Sequence, residues 1–242
     1  MFRHLVPIKL SPTESNRCMS DSISIHKIFL IGVIALSSIS PMNSTAQHAG
    51  ELDAASGDGT GYLGGKKVLI VFLSRTGNTK AIAQIIQKQV GGRLVQLELV
   101  TPYPQNYQEQ VAQVVRENNS GFLPPLKTDI DSIAQFDVVF VGFPTWDMKM
   151  PPPMKSFLKK YDFSGKTIIP FNTNAGYGIG TSSETIKELC ENSKVLEGFT
   201  MTGGIERDGV YFVIKDEKAK AAEISVEKWL QRIKVLKGMN SL

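Results

Sequence analysis

Apolar residues along the chain alternate between short continuous runs and helical stripes, starting near residue 66. Continuous apolar runs are typical of strands that are buried on both faces of a sheet. Apolar residues spaced by three and four positions indicate helices with one buried face. The runs predict five strands, at 68–73, 94–100, 137–141, 167–171 and 195–201.

Helical stripes fill the intervals between these strands. The first ends at the Gly91-Gly92 pair, since glycine commonly follows the last turn of a helix. Alternation of strands and helices predicts an α/β domain in which helices cover both faces of a parallel sheet. The stripes are formed by Ile82, Ile85, Ile86 and Val90; by Tyr107, Val111, Val114 and Val115; by Met154, Phe157, Leu158 and Tyr161; by Ile186, Leu189 and Cys190; and by Ala222, Val226, Trp229, Leu230 and Ile233.

Two features disturb this pattern near the end of the sheet. Pro170 lies inside the fourth apolar run. Because proline has no amide hydrogen for the ladder, we expect it at a bulge or at the end of the strand. Residues 203–209 look like a short insertion, and the apolar run at 211–214 after it is predicted to extend a split fifth strand.

The first 46 residues have the organisation of a secretory signal peptide. Lys27 precedes an apolar run at 28–36, and small residues at 44–46 follow it. The run is shorter than the about 20 apolar residues of a membrane span, so we expect a cleaved leader and a periplasmic or extracellular protein. The alternative is an uncleaved leader that anchors the protein in the membrane.

The boundaries that follow are a signal peptide at 1–46, a flexible linker at 47–65 and a folded domain at 66–242. A start at Met19 would give a leader with an n-region of ordinary length. The linker is rich in Gly, Ala, Ser and Asp, a composition that does not form a packed core.

Composition excludes several kinds of chemistry from the domain. The three histidines, His4, His26 and His48, all precede it, and Cys190 is its only cysteine. A nucleophile that needs a histidine base therefore has none, and a His/Cys zinc site has no ligands. We expect no catalytic side chain, no bound metal and no internal disulfide.

Charge argues against nucleic acid as a partner. The leader holds four of the 27 basic residues and two of the 23 acidic ones, so 23 basic and 21 acidic residues remain without it. No Lys/Arg-rich run stands out among them, whereas nucleic-acid-binding domains carry a basic patch or stripe.

The segment Ser74-Arg75-Thr76-Gly77-Asn78-Thr79 follows the first strand directly and opens the first helix. Backbone amides at the start of a helix have no internal partner, and the helix dipole adds positive potential there. With its hydroxyls and a glycine for the tight turn, the segment predicts a phosphate-binding nest. It is neither a Walker loop nor a dinucleotide fingerprint. An ordinary polar turn is the alternative.

Two further loops bring aromatic residues to the same edge of the predicted sheet, at the carboxyl ends of the strands. Pro144-Thr145-Trp146-Asp147 follows the third strand, and the glycine-rich segment 172–180, which contains Tyr177, follows the fourth. In a doubly wound sheet of order 2-1-3-4-5, ligands bind at the carboxyl ends of the strands, where the order reverses. A phosphate loop beside two aromatic loops suits a flat heteroaromatic phosphate ester, with Trp146 stacked on the ring.

On these motifs the chain resembles the flavodoxin family. The Ser-x-Thr-Gly-x-Thr pattern at 74–79 is the most specific part of a match in order and spacing that covers about residues 66–236. The resemblance implies a flavodoxin-like doubly wound five-stranded parallel sheet of order 2-1-3-4-5, and flavin mononucleotide (FMN) as the cofactor. Carried over by motif, the FMN-binding residues are Ser74, Arg75, Thr76, Gly77, Asn78, Thr79, Pro144, Thr145, Trp146, Asn172, Thr173, Gly176, Tyr177 and Gly178. Asp147 and Asn174, which lie in the same two loops, are expected to belong to the cofactor site as well.

The resemblance implies electron transfer through the flavin, either to a redox partner protein or to a small acceptor. An FMN-dependent NAD(P)H:quinone or nitro reductase is one alternative, and an exported binding module without flavin is another. We expect a monomer. Asp147 departs from the family pattern, in which Gly commonly follows the Trp. Its carboxylate either lies near the flavin and disfavours an anionic reduced ring or points to solvent and caps a turn.

Overall fold

The structure is a computed structural model that describes residues 63–236. The predicted signal peptide and residues 47–62 of the predicted linker lie outside the described residues. The last linker positions, 63–65, form a turn, and Leu63 packs against the core. None of the helices among residues 63–236 is both long and apolar enough to cross a membrane.

Strands and helices alternate through the domain as the apolar pattern predicts. In chain order they are β1 (Val68–Phe72), α1 (Asn78–Val90), β2 (Arg93–Gln96), α2 (Tyr107–Ser120), β3 (Val138–Pro144), α3 (Pro152–Lys160), β4 (Thr167–Asn174), α4 (Ser182–Leu189), β5 (Lys194–Val195), β6 (Phe199–Thr202) and α5 (Asp216–Arg232).

The strands form one parallel sheet of order β2-β1-β3-β4-β5, with β6 also paired to β4. Alternate residues of β1 point to opposite faces: Ile70 joins a core that includes residues of α1 and α5, and Leu69 joins one that includes residues of α3 and α4. The predicted doubly wound architecture and its strand order are therefore confirmed.

The second strand is shorter than the prediction of 94–100. After Gln96 the chain leaves the sheet, and Leu99 forms an antiparallel bridge with Leu126 instead of continuing along β1. The amide of Glu98 donates to the Thr128 hydroxyl at 2.7 Å. Backbone groups of this segment thus pair with the loop before β3, so the apolar run does not lengthen the sheet.

The expected strand end at Pro170 is wrong, because Pro170 lies inside the continuous strand β4. The expected bulge is present opposite it, since two residues of β4, 169 and 170, oppose three residues, 196–198, of the neighbouring strand. The break falls on the neighbouring strand, between Val195 and Phe199. The carbonyl of Ile168 accepts from the amide of Leu196. In a parallel sheet every second residue directs its backbone groups at the same neighbouring strand, so those of Pro170 point at this strand as well. The missing amide hydrogen of Pro170 removes the next bond, and Gly198 passes close to the proline ring.

The prediction that residues 211–214 extend the fifth strand is also wrong, since they are irregular. The Asn78 side chain satisfies their backbone in place of a strand. Its amide nitrogen donates to the Tyr211 carbonyl at 2.7 Å, and its oxygen accepts from the amides of Val213 and Ile214 at 3.0 and 3.2 Å. The fifth strand is instead interrupted opposite Pro170, between Val195 and Phe199.

Gly142 of β3 gives a test of how tightly the sheet packs. An added Cβ would lie 2.0 Å from the ring of Phe171, which is fully buried on the adjacent strand. We expect Gly142→Ala to destabilise the fold by about 1–3 kcal/mol through overpacking, measured by urea unfolding. In a double-mutant cycle, Phe171→Leu should recover part of this loss, and strict additivity of the two changes would contradict the contact.

Candidate cofactor-binding site

A cavity of about 280 Å³ opens at the carboxyl ends of β1, β3 and β4. This is the point at which the sheet reverses its order, since β1 lies between β2 and β3. The cavity is lined by Arg75, Thr76, Asn78, Thr79, Tyr107, Gln110, Val111, Val114, Pro144, Thr145, Trp146, Asp147, Thr173, Asn174, Ala175, Gly203, Gly204 and Glu206.

The loop from Ser74 to Thr79 presents backbone amides at the start of α1. Gly77 adopts a left-handed conformation with φ of 90°, and the amides of residues 75–79 donate to no acceptor among the described residues. Unpaired amides at a helix N-terminus bind anions well, because the positive end of the helix dipole lies at the same terminus. The donor set of this loop therefore fits a phosphate group.

The side chain of Arg75 ties the loop to two other segments. Its Nη1 and Nη2 atoms donate to the carbonyls of Pro104 and Gln105 at 2.8 and 2.6 Å. Its Nε donates to Glu206 Oε1 at 2.6 Å. The guanidinium is thereby held between the chain before α2 and the turn after β6.

Asn78 points its side chain at residues 211–214 and at the Thr76 hydroxyl, 2.9 Å away. The ring of Phe212 covers the loop, because a Cβ on Gly77 would lie 3.2 Å from it. Thr79 shares a 2.8 Å hydrogen bond with the Thr173 hydroxyl. Side chains of this loop thus order its surroundings, and its backbone amides remain available to a ligand.

The loop after β3 is a tight turn in which Trp146 and Lys149 exchange backbone hydrogen bonds at 3.1 and 2.9 Å. The two residues between them, Asp147 and Met148, are both left-handed, with φ of 50° and 52°. Trp146 lines the cavity, is partly buried against the core and meets the ring of Tyr103 edge to face. The turn therefore fixes an indole at one wall.

Tyr103 is itself held in place from α2. Its hydroxyl donates to the carboxylate of Glu117, which also accepts from the amide nitrogen of Gln113 at 2.8 Å. Burial, followed by the hydrogen bond and the charge of Glu117, raises the pKa of Tyr103 well above its usual range. The hydrogen bond to Glu117 therefore holds the Tyr103 ring beside Trp146.

Asp147 is exposed at the mouth of the cavity, among polar and basic groups. It accepts a hydrogen bond from Asn118 at 3.1 Å and lies 3.6 Å from the ammonium of Lys149. Lys155 donates to Asn118 Oδ1, and burial together with the charge of Lys149 lowers the pKa of Lys155. Lys149 therefore partly balances the Asp147 carboxylate.

The loop after β4 is ordered by buried amides. Asn174 Oδ1 accepts from the amides of Gly176 and Gly178 at 2.9 and 3.2 Å. Thr145 donates to the Gly178 carbonyl at 2.8 Å, so this loop is also tied to the loop after β3. Tyr177 projects from it with 66 % of its surface exposed.

Most of the predicted binding residues lie around one cavity. The predicted residues outside its lining are Ser74, Gly77, Asn172, Gly176, Tyr177 and Gly178. Among these, Ser74 caps the backbone of Lys80 at 3.2 Å, and Asn172 is fully buried.

Sequence reasoning missed the cavity walls that come from α2 and from the turn after β6. The apolar stripe of α2 predicts a buried Val111, yet Val111 is 40 % exposed and lines the cavity, while Gln110 and Glu117 are buried on α2. The Gly203-Gly204 pair after the fifth strand was the available signal for the second wall.

Comparisons with known proteins agree on one family. A family model described as flavodoxin matches residues 67–216. A flavodoxin of Picosynechococcus is 27 % identical over 192 residues, covering 72 % of this chain and 99 % of that protein. A flavodoxin of Synechocystis is 22 % identical over 188 residues, covering 69 % and 96 %. A solved structure described as a flavoprotein, from Bacteroides eggerthii, has a TM-score of 0.57 and 26 % identity, covering 69 % of this chain and 98 % of that one.

Gly180 offers a test of how the two aromatic loops pack together. A Cβ there would lie 1.8 Å from the Met148 carbonyl oxygen, whereas Gly178, also left-handed, has open space around it. Both Gly→Ala changes carry the left-handed penalty of about 1–2 kcal/mol. Only Gly180→Ala should lower the free energy of unfolding by about 1–3 kcal/mol more, since the Met148 backbone cannot move away from the added methyl group. Urea unfolding of the two variants decides, and equal losses would show that the loops are not in contact.

Proposed function

The chain belongs to the flavodoxin family, and we propose that it is an exported electron carrier that works through bound FMN. One observation carries this proposal: unpaired amides at the start of α1 and the indole of Trp146 line the same cavity, at the switch point of the sheet. Bound FMN supplies the reversible uptake of electrons. The protein supplies binding, orientation and shielding from water.

The two ends of the cavity suit the two ends of FMN. At one end, the amides of residues 75–79 and the dipole of α1 would hold the phosphate. At the other, Trp146 would stack on the flavin ring, with its orientation set by Tyr103. Tyr177, exposed on the adjacent loop, is proposed to cover the ring from outside.

An electron carrier is favoured over a reductase because no pyridine-nucleotide fingerprint occurs in the sequence. A carrier exchanges electrons with a redox partner protein and needs no second substrate pocket. A quinone or nitro reductase would oxidise NAD(P)H in the purified, FMN-loaded state. Anaerobic mixing with NAD(P)H, followed by flavin absorbance, separates the two: the carrier leaves the oxidised flavin spectrum unchanged.

We expect the protein to bind FMN and to bind riboflavin much more weakly, because riboflavin lacks the phosphate that the 74–79 loop would hold. Titration by quenching of flavin fluorescence measures both affinities. Equal affinities would remove the phosphate-site argument, and no binding of either flavin would favour the binding module without flavin.

Trp146→Ala should weaken FMN binding by about 1–3 kcal/mol, the range found for stacking on aromatic side chains. Trp229→Ala is the matched control, because Trp229 is buried in the core, where its Nε1 donates to the Glu197 carbonyl at 3.0 Å. The control should lower the free energy of unfolding far more than Trp146→Ala does. Unchanged FMN affinity after loss of Trp146 would assign the indole to packing alone.

Export rests on the leader, which lies outside the described residues. Its apolar run at 28–36 after Lys27 lacks a twin-arginine pair, which favours transport of an unfolded chain and FMN uptake afterwards. We expect the mass of the exported protein to correspond to a new N-terminus near residue 47. An intact leader in the membrane fraction would support the anchored alternative.

A further inference from the structure

We propose that Glu206 sets the affinity of the phosphate loop by cancelling the charge of Arg75, so that the loop selects a phosphate monoester through neutral donors. The inference rests on the proposed FMN function. It assigns a specificity-determining role to a residue outside the predicted site, on a turn contributed by a different part of the chain.

The Arg75–Glu206 ion pair differs from the surface ion pairs of the protein in its burial. The two side chains are only 17 % and 15 % exposed, and Nε and Oε1 are 2.6 Å apart. Lys88 and Glu223, a surface pair, are 74 % and 45 % exposed. Solvent and salt screen a partly buried pair less, so removing either charge should change the electrostatic potential throughout the cavity.

The ion pair is built into the phosphate end of the cavity. Arg75 belongs to the loop whose amides line that end, and Glu206 lines the same cavity. The turn that carries Glu206 packs closely against the chain that follows it, since a Cβ on Gly204 would lie 2.0 Å from the Tyr211 carbonyl oxygen. The other guanidinium nitrogens are held by the carbonyls of Pro104 and Gln105. Both charges therefore have fixed positions beside the amides.

The charges have opposite effects on a phosphate ester. Such a group carries about −1.5 to −2 charges at pH 7, so an unpaired guanidinium would attract it and an unpaired carboxylate would repel it. Paired, the two nearly cancel, and recognition falls to the amides and the dipole of α1. Riboflavin carries no phosphate, so neither charge should alter its binding.

The test uses Glu206→Gln, Arg75→Gln and the double variant of the purified protein, titrated with FMN and with riboflavin. Glutamine at 206 still accepts a hydrogen bond from Arg75. At low salt we expect FMN affinity to rise about tenfold in the first, fall about tenfold in the second and return near wild type in the third, with smaller effects at high salt. Riboflavin affinity should stay constant. Glu223→Gln, on the surface pair, should change nothing.

Two outcomes would overturn the inference. If both single variants weaken FMN and riboflavin alike, the pair only holds the loops together. If the double variant binds FMN as weakly as Arg75→Gln while riboflavin affinity is unchanged, the guanidinium is itself a phosphate ligand. A wild-type protein that binds no FMN overturns the proposed function instead. In that case the variants are titrated with inorganic phosphate, and NMR shifts of the amides of residues 75–79 report binding. The inference then requires phosphate affinity to be highest in Glu206→Gln and lowest in Arg75→Gln.

Discussion

The site depends on a buried hydrogen-bond network at the carboxyl end of β4. Asn172, fully buried, donates to the Phe143 carbonyl on β3 at 2.9 Å and accepts from Asn174 at 3.0 Å. Asn174 in turn binds the glycine-rich loop and donates to the Thr200 hydroxyl on β6 at 3.0 Å. A buried polar group left without a partner costs about 1–3 kcal/mol, so each of these bonds fixes the next. The geometry of the glycine-rich loop after β4 is thus set by hydrogen bonds inside the sheet.

The phosphate loop joins parts of the chain that are far apart in sequence. Arg75 reaches residues 104–105 on one side and Glu206 on the other, and Asn78 holds residues 211–214. The loop is therefore a junction as well as a candidate ligand site. Its side chains and its backbone divide these tasks: the side chains bind protein, and the amides stay free of protein acceptors among the described residues.

The fold was predictable because its signals are local and consistent. Continuous apolar runs marked β1, β3 and β4, and the stripe from Ile82 to Val90 marked α1. The loops after β1, β3 and β4 were predicted to converge by the rule for doubly wound sheets. Long-range pairings escaped prediction: Arg75 with Glu206 is separated by 131 positions, and Asn78 with residues 211–214 replaced an expected strand. Neither partner carries a sequence signal of the other.

The break opposite Pro170 has a consequence for the edge of the sheet that β5 and β6 form. β5 has two residues and β6 has four, and the three residues between them belong to neither strand. A long, flat margin would expose a row of unpaired amides and carbonyls on which another chain could add a strand. Here no stretch of the margin is long enough to serve as such a template. The break opposite Pro170 therefore leaves only short strands at this edge, which is one way in which proteins blunt a sheet edge.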